Sequence, residues 1–107
     1  MKIKLDVMER LVLGNILPES GNRLSLRVVM DLRRKIEFDA KEQEELEMTV
    51  DGTSIGWKKD KENPDGYEYE MELKELEMIR GSLKKLDDNE KLEPKHLTLW
   101  DKFMEVI

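Results

Sequence analysis

The residue types that most often carry catalysis are scarce in this chain. It has no cysteine and a single histidine, His96, which excludes a thiolate nucleophile, a disulfide framework and a zinc cluster. His96 falls in a predicted C-terminal helix, with no nucleophile at a recognisable spacing. The many glutamates lie on predicted helix surfaces and on the outer face of a predicted strand, where a solvated carboxylate does no acid–base work. The sequence therefore predicts a protein that is not an enzyme and that uses no cofactor and no small-molecule substrate.

The polar segment DKENPDG, residues 60–66, has the composition of a calcium-binding loop. When Gly66 is aligned with the invariant glycine of such loops, Lys61 occupies the first ligand position, which needs an oxygen ligand. The chain also has no glycine-rich loop of the kind that cradles phosphates. We therefore expect no metal site and no phosphate-binding loop.

Basic side chains are the second group that could do chemistry, by binding anions or acidic proteins. On a helix predicted from about Ser25 to Ile36, the arginines lie opposite the apolar stripe, because successive residues are about 100° apart. Two lysines sit on the predicted hairpin that follows. The candidate partner-binding residues are Arg23, Arg27, Arg34, Lys35, Lys58 and Lys59. Their spacing leaves open whether they share one surface, and a solvated helix face is the simpler interpretation.

Residues 22–59 read as helix, turn, short helix and hairpin, which is the order of a helix-turn-helix module with a wing. The short helix, predicted over residues 40–46 with Asp39 as its N-cap, would be the recognition helix. Its sequence AKEQEELE contains four glutamates and one lysine. Because affinity for DNA comes largely from contacts between basic side chains and phosphates, this composition argues against a nucleic-acid partner.

The N-terminal helix is predicted over residues 5–17 and ends at Pro18. Its charged residues Glu9 and Arg10 are expected to lie on the side away from the core. Gly14 interrupts the helix at a cost of about 1 kcal/mol relative to alanine. It either admits a closely packed neighbouring helix or is simply tolerated. The apolar positions at helical spacing are Leu5, Met8, Leu11, Val12 and Ile16.

The segment MTVDGTSI, residues 48–55, predicts a tight β-hairpin whose two-residue turn is the Asp-Gly dipeptide. Pairing outward from that turn sets Val50 opposite Thr53. The segment YEYEMEL, residues 67–73, alternates strictly and predicts a third antiparallel strand with its glutamates facing water. We therefore predict an α+β fold, with three N-terminal helices, a three-stranded antiparallel meander and two C-terminal helices.

The last predicted helix begins near Pro94 and carries an apolar stripe that continues to the end of the sequence. Such a stripe either docks into the core of its own domain or is buried against a second copy of the chain, so a homodimer is one of two predicted outcomes. The candidate self-association residues are Leu97, Trp100, Phe103, Met104 and Ile107.

The length of 107 residues predicts one domain, spanning 1–107. The net charge of −6 is divided unevenly, since residues 1–38 carry +3 and the remainder carries −9. This asymmetry indicates self-association or a charged partner, although it also serves solubility. The N-terminal segment has no apolar run long enough for a signal peptide or a membrane span. We therefore expect a cytoplasmic protein that does not enter membranes.

Three segments, MERLVLGNILPESGN, RLSLRVVMDLRRKI and LKKLDDNEKLEPKHLTLWDKFMEVI, resemble a group of small acidic proteins encoded by bacterial phages and prophages. The resemblance extends over nearly the whole chain. It implies a bacterial cytoplasm and an accessory role in infection or lysogeny, with no activity and no functional residues to transfer.

Three hypotheses for function follow from the sequence. The first is a non-enzymatic phage or prophage accessory protein that acts by protein–protein interaction or by homo-oligomerisation. The second is a nucleic-acid-associated regulator of the winged-helix kind, which uses the basic helix and the hairpin. The third is an acidic DNA mimic, which uses the glutamates of the short helix and the last strand.

Overall fold

The computed structural model describes residues 1–105 and consists of five α-helices and four short strands. The strands are β1 (Lys2–Leu5), β2 (Thr49–Asp51), β3 (Ser54–Gly56) and β4 (Tyr67–Glu70). The α-helices are α1 (Val7–Ile16), α2 (Arg23–Ile36), α3 (Ala40–Glu45), α4 (Leu73–Asp88) and α5 (Leu97–Phe103), and short 3-10 turns lie at Lys59–Lys61 and Pro94–His96. The predicted mixture of helices and small antiparallel sheets is confirmed.

The chain begins with a strand, so the prediction that its first element is a helix starting at residue 5 is wrong. Asp6 separates the two elements, because its carboxylate accepts a hydrogen bond from the Glu9 backbone N–H at 2.7 Å. The Glu9 carboxylate accepts in return from the Asp6 backbone N–H at 3.0 Å. This capping box ends the extended backbone and starts α1 at Val7.

The predicted three-stranded meander is replaced by two separate two-stranded sheets. β4 pairs antiparallel with β1, which places Ile3 opposite Tyr69. β2 and β3 pair only with each other. The inner face of β1, formed by Ile3 and Leu5, is buried, and this apolar face explains why β4 pairs with a strand more than sixty residues away.

The β2–β3 hairpin is present, but its register differs from the prediction. Asp51 pairs with Ser54 and Val50 pairs with Ile55, so the turn residues are Gly52 and Thr53. Gly52 has φ +63°, and glycine at the first of two turn positions is the arrangement that type II′ turns favour. The turn therefore contains the predicted Gly52, but its two residues are Gly52 and Thr53, not Asp51 and Gly52.

The core is one cluster of apolar side chains contributed by β1, α1, α2, α4 and α5. The buried members from α2 and α4 recur at helical spacing along each helix. The buried members are Ile3, Leu5, Val12, Leu13, Leu17, Val29, Leu32, Ile36, Met71, Leu76, Ile79, Leu83, Leu99 and Phe103. None of the helices among residues 1–105 is both long enough and apolar enough to cross a membrane.

The burial of α1 differs from its apolar pattern. Met8, predicted to face the core, is 47% exposed, whereas Glu9 and Arg10, predicted to face away, are 4% and 3% exposed. The buried face of α1 is rotated relative to the predicted stripe and includes Val7 and Leu13, which are both 0% exposed. The expectation that the glutamates lie only at solvated positions is therefore wrong for Glu9, and it is also wrong for Glu75, which is 2% exposed.

The two buried glutamates occupy equivalent positions at the two strand–helix junctions. Each is the third residue of its helix and accepts from the backbone N–H of its cap residue. Glu9 is paired with Lys102 at 2.7 Å, and Lys102 also donates to the carbonyl of Lys4 in β1. Glu75 is paired with Lys35 at 2.7 Å, and Lys35 also donates to the carbonyl of β4 at residue 70. Both carboxylates thus hold a strand, a helix and a distant lysine together.

Candidate protein-docking site

An open recess of about 460 Å³ lies between α1, the C-terminal end of α2 and the β2–β3 hairpin. We call it the hairpin groove. Polar residues, among them Arg33, Glu37 and Gln43, also border it. Its apolar lining consists of Leu11, Ile36, Phe38, Met48, Val50 and Ile55, with Gly14 on the α1 side. A recess that is mainly apolar and carries few polar groups is typical of surfaces that bind another molecule.

Arg10 fixes the position of α1 against the end of α2 at this groove. Its Nε donates to the carbonyl of Ile36 at 3.0 Å, and its Nη2 donates to the carbonyl of Glu37 at 2.8 Å. Its Nη1 also forms a 2.7 Å ion pair with Glu42 of α3. These carbonyls belong to the last turn of α2, which has no further intrahelical donors. One buried guanidinium therefore joins three helices.

Aromatic rings complete the surroundings of Arg10. Its guanidinium carbon lies 3.8 Å from the centroid of the Phe38 ring and 4.9 Å from that of Tyr67. Such stacking suits arginine, because the guanidinium plane is weakly hydrated and is attracted to ring faces. Burial raises the pKa of Tyr69 to about 12, although the nearby Arg10 charge opposes the shift. Within residues 1–105, no buried polar side-chain atom lacks a hydrogen-bond partner, and this includes the polar atoms behind the groove.

The hairpin wall of the groove is poorly covered by the rest of the chain. Val50 is 73% exposed and Ile55 is 43% exposed, although the two are cross-strand partners. Every residue of 49–56 is exposed. A two-stranded hairpin has marginal stability unless it packs on something. The hairpin wall therefore exposes two large apolar side chains, and both line the groove.

The predicted partner-binding residues do not all lie on one exposed surface. Arg23, Arg27 and Arg34 are exposed along α2, and none forms an ion pair with another residue of 1–105. Lys35 instead turns inward to Glu75, which makes it part of the fold. The remaining two, Lys58 and Lys59, are exposed just after β3. Within this set, only the three arginines are exposed on the same side of one helix.

The predicted self-association residues belong largely to the core of the chain. Phe103 is completely buried, and Trp100 and Met104 pack against the core cluster. The Arg80 side chain donates to the Phe103 carbonyl at 2.7 Å, which fixes α5 on α4. Leu97 is 53% exposed. The fifth residue, Ile107, lies outside the described residues.

The lone histidine is used as a helix cap. His96 is 5% exposed, and its Nδ1 accepts a hydrogen bond from the Glu93 backbone N–H at 2.9 Å. It lines a second recess of about 430 Å³ together with Lys91 and Lys95. No group of three or more metal-ligating side chains comes together within residues 1–105. The buried carboxylates Glu9 and Glu75 are both engaged in caps and lysine pairs, so their chemistry is structural.

No family model matches the chain, and neither a curated protein nor a solved structure shows significant similarity to it.

The hairpin groove was missed at the level of sequence, because its lining comes from four separate segments. One local signal was present. Gly14 interrupts a helix, and no side chain of the described chain occupies the space above it, since a Cβ built there meets nothing within 4 Å. The predicted alternative in which Gly14 admits a closely packed neighbouring helix is therefore not observed within residues 1–105.

Proposed function

We propose that the chain is a non-enzymatic accessory protein, of phage or prophage origin, that acts in the bacterial cytoplasm by binding another polypeptide in the hairpin groove. The observation that carries this proposal is the exposure of Val50 and Ile55 beside an apolar recess. Apolar patches rimmed by polar residues commonly mark interaction sites. The uneven charge of the chain would then serve to orient the partner.

The construction of the groove supports a rigid docking site. Arg10 holds α1, α2 and α3 in fixed positions, and its polar contacts are made inside the chain. Phe38 and Met48 are partly buried, so they present anchored apolar surface. Binding to a preformed surface avoids the entropic cost of ordering a loop. A partner therefore needs only to insert apolar side chains, and a few such anchors supply most of the affinity.

The experiment that tests the proposal compares the wild-type chain with Ile55→Asp in tagged purifications from phage-infected or lysogenic bacteria. We expect specific polypeptides to co-purify with the wild type, and we expect the purified partner to bind Ile55→Asp at least tenfold more weakly, about 1.4 kcal/mol. Because Ile55 is exposed, the substitution should leave the fold unchanged. Gly81→Ala on α4 is the control, because Gly81 is exposed and distant from the groove lining.

Equal binding of the partner by Ile55→Asp and by the wild type would refute a role for the groove. If no polypeptide co-purifies with the wild type above the level of an unrelated acidic protein, the proposal of a partner-binding module also fails. The melting temperatures of the variants must match that of the wild type for either conclusion.

A nucleic-acid-associated function is the second candidate, and the exposed stripe of Arg23, Arg27 and Arg34 favours it. Adjacent arginines of this stripe that are four residues apart lie about 6 Å from each other along the axis, since the rise is 1.5 Å per residue. That distance is comparable with the spacing of phosphates along a strand. The acidic helix α3 opposes a winged-helix mode. Binding that weakens steeply with salt, and that Arg27→Gln reduces, would favour this function, whereas an acidic DNA mimic binds no DNA at any salt concentration.

A further inference from the structure

We propose that the second recess of the chain binds a small organic monocarboxylate, whose carboxylate meets His96 and two lysines and whose apolar body covers the recess floor. We call this recess, which is lined by α1, the end of α4 and residues 91–96, the histidine recess. Its volume of about 430 Å³ is within the range of pockets that take small ligands. The described linings of this recess and of the hairpin groove share only Asn15, so the proposal does not depend on a partner polypeptide.

His96 supplies the first observation, because its ring is buried but one ring nitrogen has no partner. His96 is 5% exposed, and its Nδ1 accepts from the Glu93 backbone N–H at 2.9 Å. A nitrogen that accepts carries no proton, so the ring proton is on Nε2. Nε2 forms no hydrogen bond within residues 1–105, yet no fully buried polar side-chain atom of those residues lacks a partner. Nε2 is therefore a donor that solvent reaches through the recess that its ring lines.

The charges of the recess favour an anion with a single negative charge. Lys91, Glu93 and Lys95 line it, which gives a net charge of +1 beside a neutral His96. Lys91 forms no ion pair within residues 1–105. The Lys95–Glu93 pair is long, at 3.6 Å, and an exposed pair of this kind adds little stability, so Lys95 is free to turn toward a ligand. A carboxylate matches this charge, whereas a phosphate dianion exceeds it next to the Glu93 carboxylate.

The end of α4 holds Lys91 at the recess. The Lys91 backbone N–H donates to the Leu86 carbonyl at 2.8 Å, and the Glu90 backbone N–H donates to the Asp87 carbonyl at 3.0 Å. With Glu90 at φ +56°, these two hydrogen bonds form a Schellman cap. Lys91 is therefore tied by its backbone to Leu86, which lines the same recess.

The floor of the recess calls for a ligand with an apolar body. Val12 and Ile16 of α1 line it together with Leu86 of α4. Val12 is 3% exposed and Ile16 packs against the core cluster, so the folded core sets the position of this floor. Each methylene group that a ligand buries there should strengthen binding about fourfold, and an inorganic anion would leave the floor uncovered. The described lining contains no hydroxyl or thiol nucleophile, so the ligand is bound and not converted.

The test is an NMR titration of the purified chain with sodium hexanoate at constant pH and constant ionic strength. His96 is the only histidine of the sequence, so its ring signals need no assignment. We expect these signals to shift to saturation with a Kd of about 1 mM. Hexanol keeps the apolar body but has no charge, and it should bind about tenfold more weakly. Inorganic phosphate has no apolar body, and at the same concentration it should not displace hexanoate.

Two double variants separate the recess from a general attraction to basic side chains. Lys91→Gln with Lys95→Gln should raise the Kd for hexanoate about tenfold, and the fold should be retained because both lysines are exposed. Lys58→Gln with Lys59→Gln is the matched control. It removes the same charge from two exposed lysines that do not line the recess, so its Kd should stay within about twofold of the wild-type value.

The proposal is overturned if the His96 signals show no saturable shift up to about fiftyfold the expected Kd. Equal binding of hexanol and hexanoate would also overturn it, because the recess would then select no anion. An unchanged Kd in the Lys91 and Lys95 double variant would place the ligand elsewhere, and displacement of hexanoate by inorganic phosphate would refute the monocarboxylate class. The proposed polypeptide site is tested separately, because Ile55 lies outside this recess and Ile55→Asp should bind hexanoate as the wild type does.

Discussion

Replacing Arg10 with leucine is the most informative test of how this fold holds its groove. Leucine fills much of the volume of the arginine side chain but carries no hydrogen-bond donor. The substitution leaves the carbonyls of Ile36 and Glu37 without their hydrogen bonds from the guanidinium, which measure 3.0 and 2.8 Å. It also removes the 2.7 Å ion pair to Glu42 and the stacking on Phe38.

The expected loss is about 3 kcal/mol of unfolding free energy. Removing one partner of a buried ion pair typically costs about 3–5 kcal/mol. The lower end applies here because the Glu42 side chain is 27% exposed and can turn toward water. A buried carbonyl left without a donor costs about 1–3 kcal/mol. The expected loss of about 3 kcal/mol is consistent with this cost if water reaches one of the two carbonyls, those of Ile36 and Glu37. For a small domain whose stability is about 5–15 kcal/mol, this is a large fraction.

Urea unfolding followed by circular dichroism at constant pH measures the change directly. Arg10→Lys is the matched variant, because it keeps the charge but cannot present a planar fork to two carbonyls and a carboxylate. We expect it to lose about 1–2 kcal/mol, less than leucine does. A double-mutant cycle with Glu42→Gln isolates the ion pair, whose coupling should be about 1 kcal/mol.

A loss below about 1 kcal/mol for Arg10→Leu would refute this reasoning, because it would mean that water replaces every contact of the guanidinium. Equal losses for lysine and leucine would show instead that the fork geometry, and not the charge, carries the stability. Only the first result would remove Arg10 as the residue that fixes the groove.

Three further predictions concern single sites. Gly52→Val should lower stability by about 1–3 kcal/mol, because a β-branched residue resists φ +63°; unchanged urea unfolding would show that the turn tolerates it. The Tyr69 hydroxyl has its pKa raised from 10.0 to about 12, so the unfolded chain loses this proton first and stability falls as pH rises from about 10 to 12. Tyr69→Phe should reduce that alkaline loss by about 1 kcal/mol after allowance for partial exposure, and an identical pH profile would contradict the assignment. Lys102→Met should lower the free energy of unfolding by about 2–3 kcal/mol, because it leaves the buried Glu9 carboxylate without its lysine partner. The double variant Lys102→Met with Glu9→Gln should recover part of that loss.

Much of the secondary structure could be predicted from local sequence. The stripes of α2 and α4 follow from helical spacing, and their members Val29, Leu32, Ile79 and Leu83 are in the core. The Asp39 cap of α3 is present, with its carboxylate accepting from the Glu42 backbone N–H at 2.8 Å. In these cases the interactions lie within a few residues of one another, so the order of residues contains them.

The errors occur where a distant segment decides the outcome. KIKL at the N-terminus has apolar residues that fit either a strand or a helix, and it is a strand because β4 pairs with it across most of the chain. The hairpin contains its predicted glycine turn, but the register shifts so that Val50 faces Ile55. For residues 2–5, local spacing fits both a strand and a helix, and pairing with β4 makes the choice. In the hairpin, the turn itself sets the register, since Val50 and Ile55 remain exposed.

Charge, composition and short-range periodicity are enough to predict an acidic, cysteine-free α+β protein with amphipathic helices, because these properties do not depend on a distant segment. The burial of Arg10, the pairing of Lys35 and Lys102 with buried glutamates, and the open apolar groove beside the hairpin become evident only from the packing of the elements. The physical reason is that burial of a charge depends on donors and acceptors that arrive from other elements. The acceptors of the Arg10 side chain lie within residues 36–42, and no residue pattern along α1 predicts them.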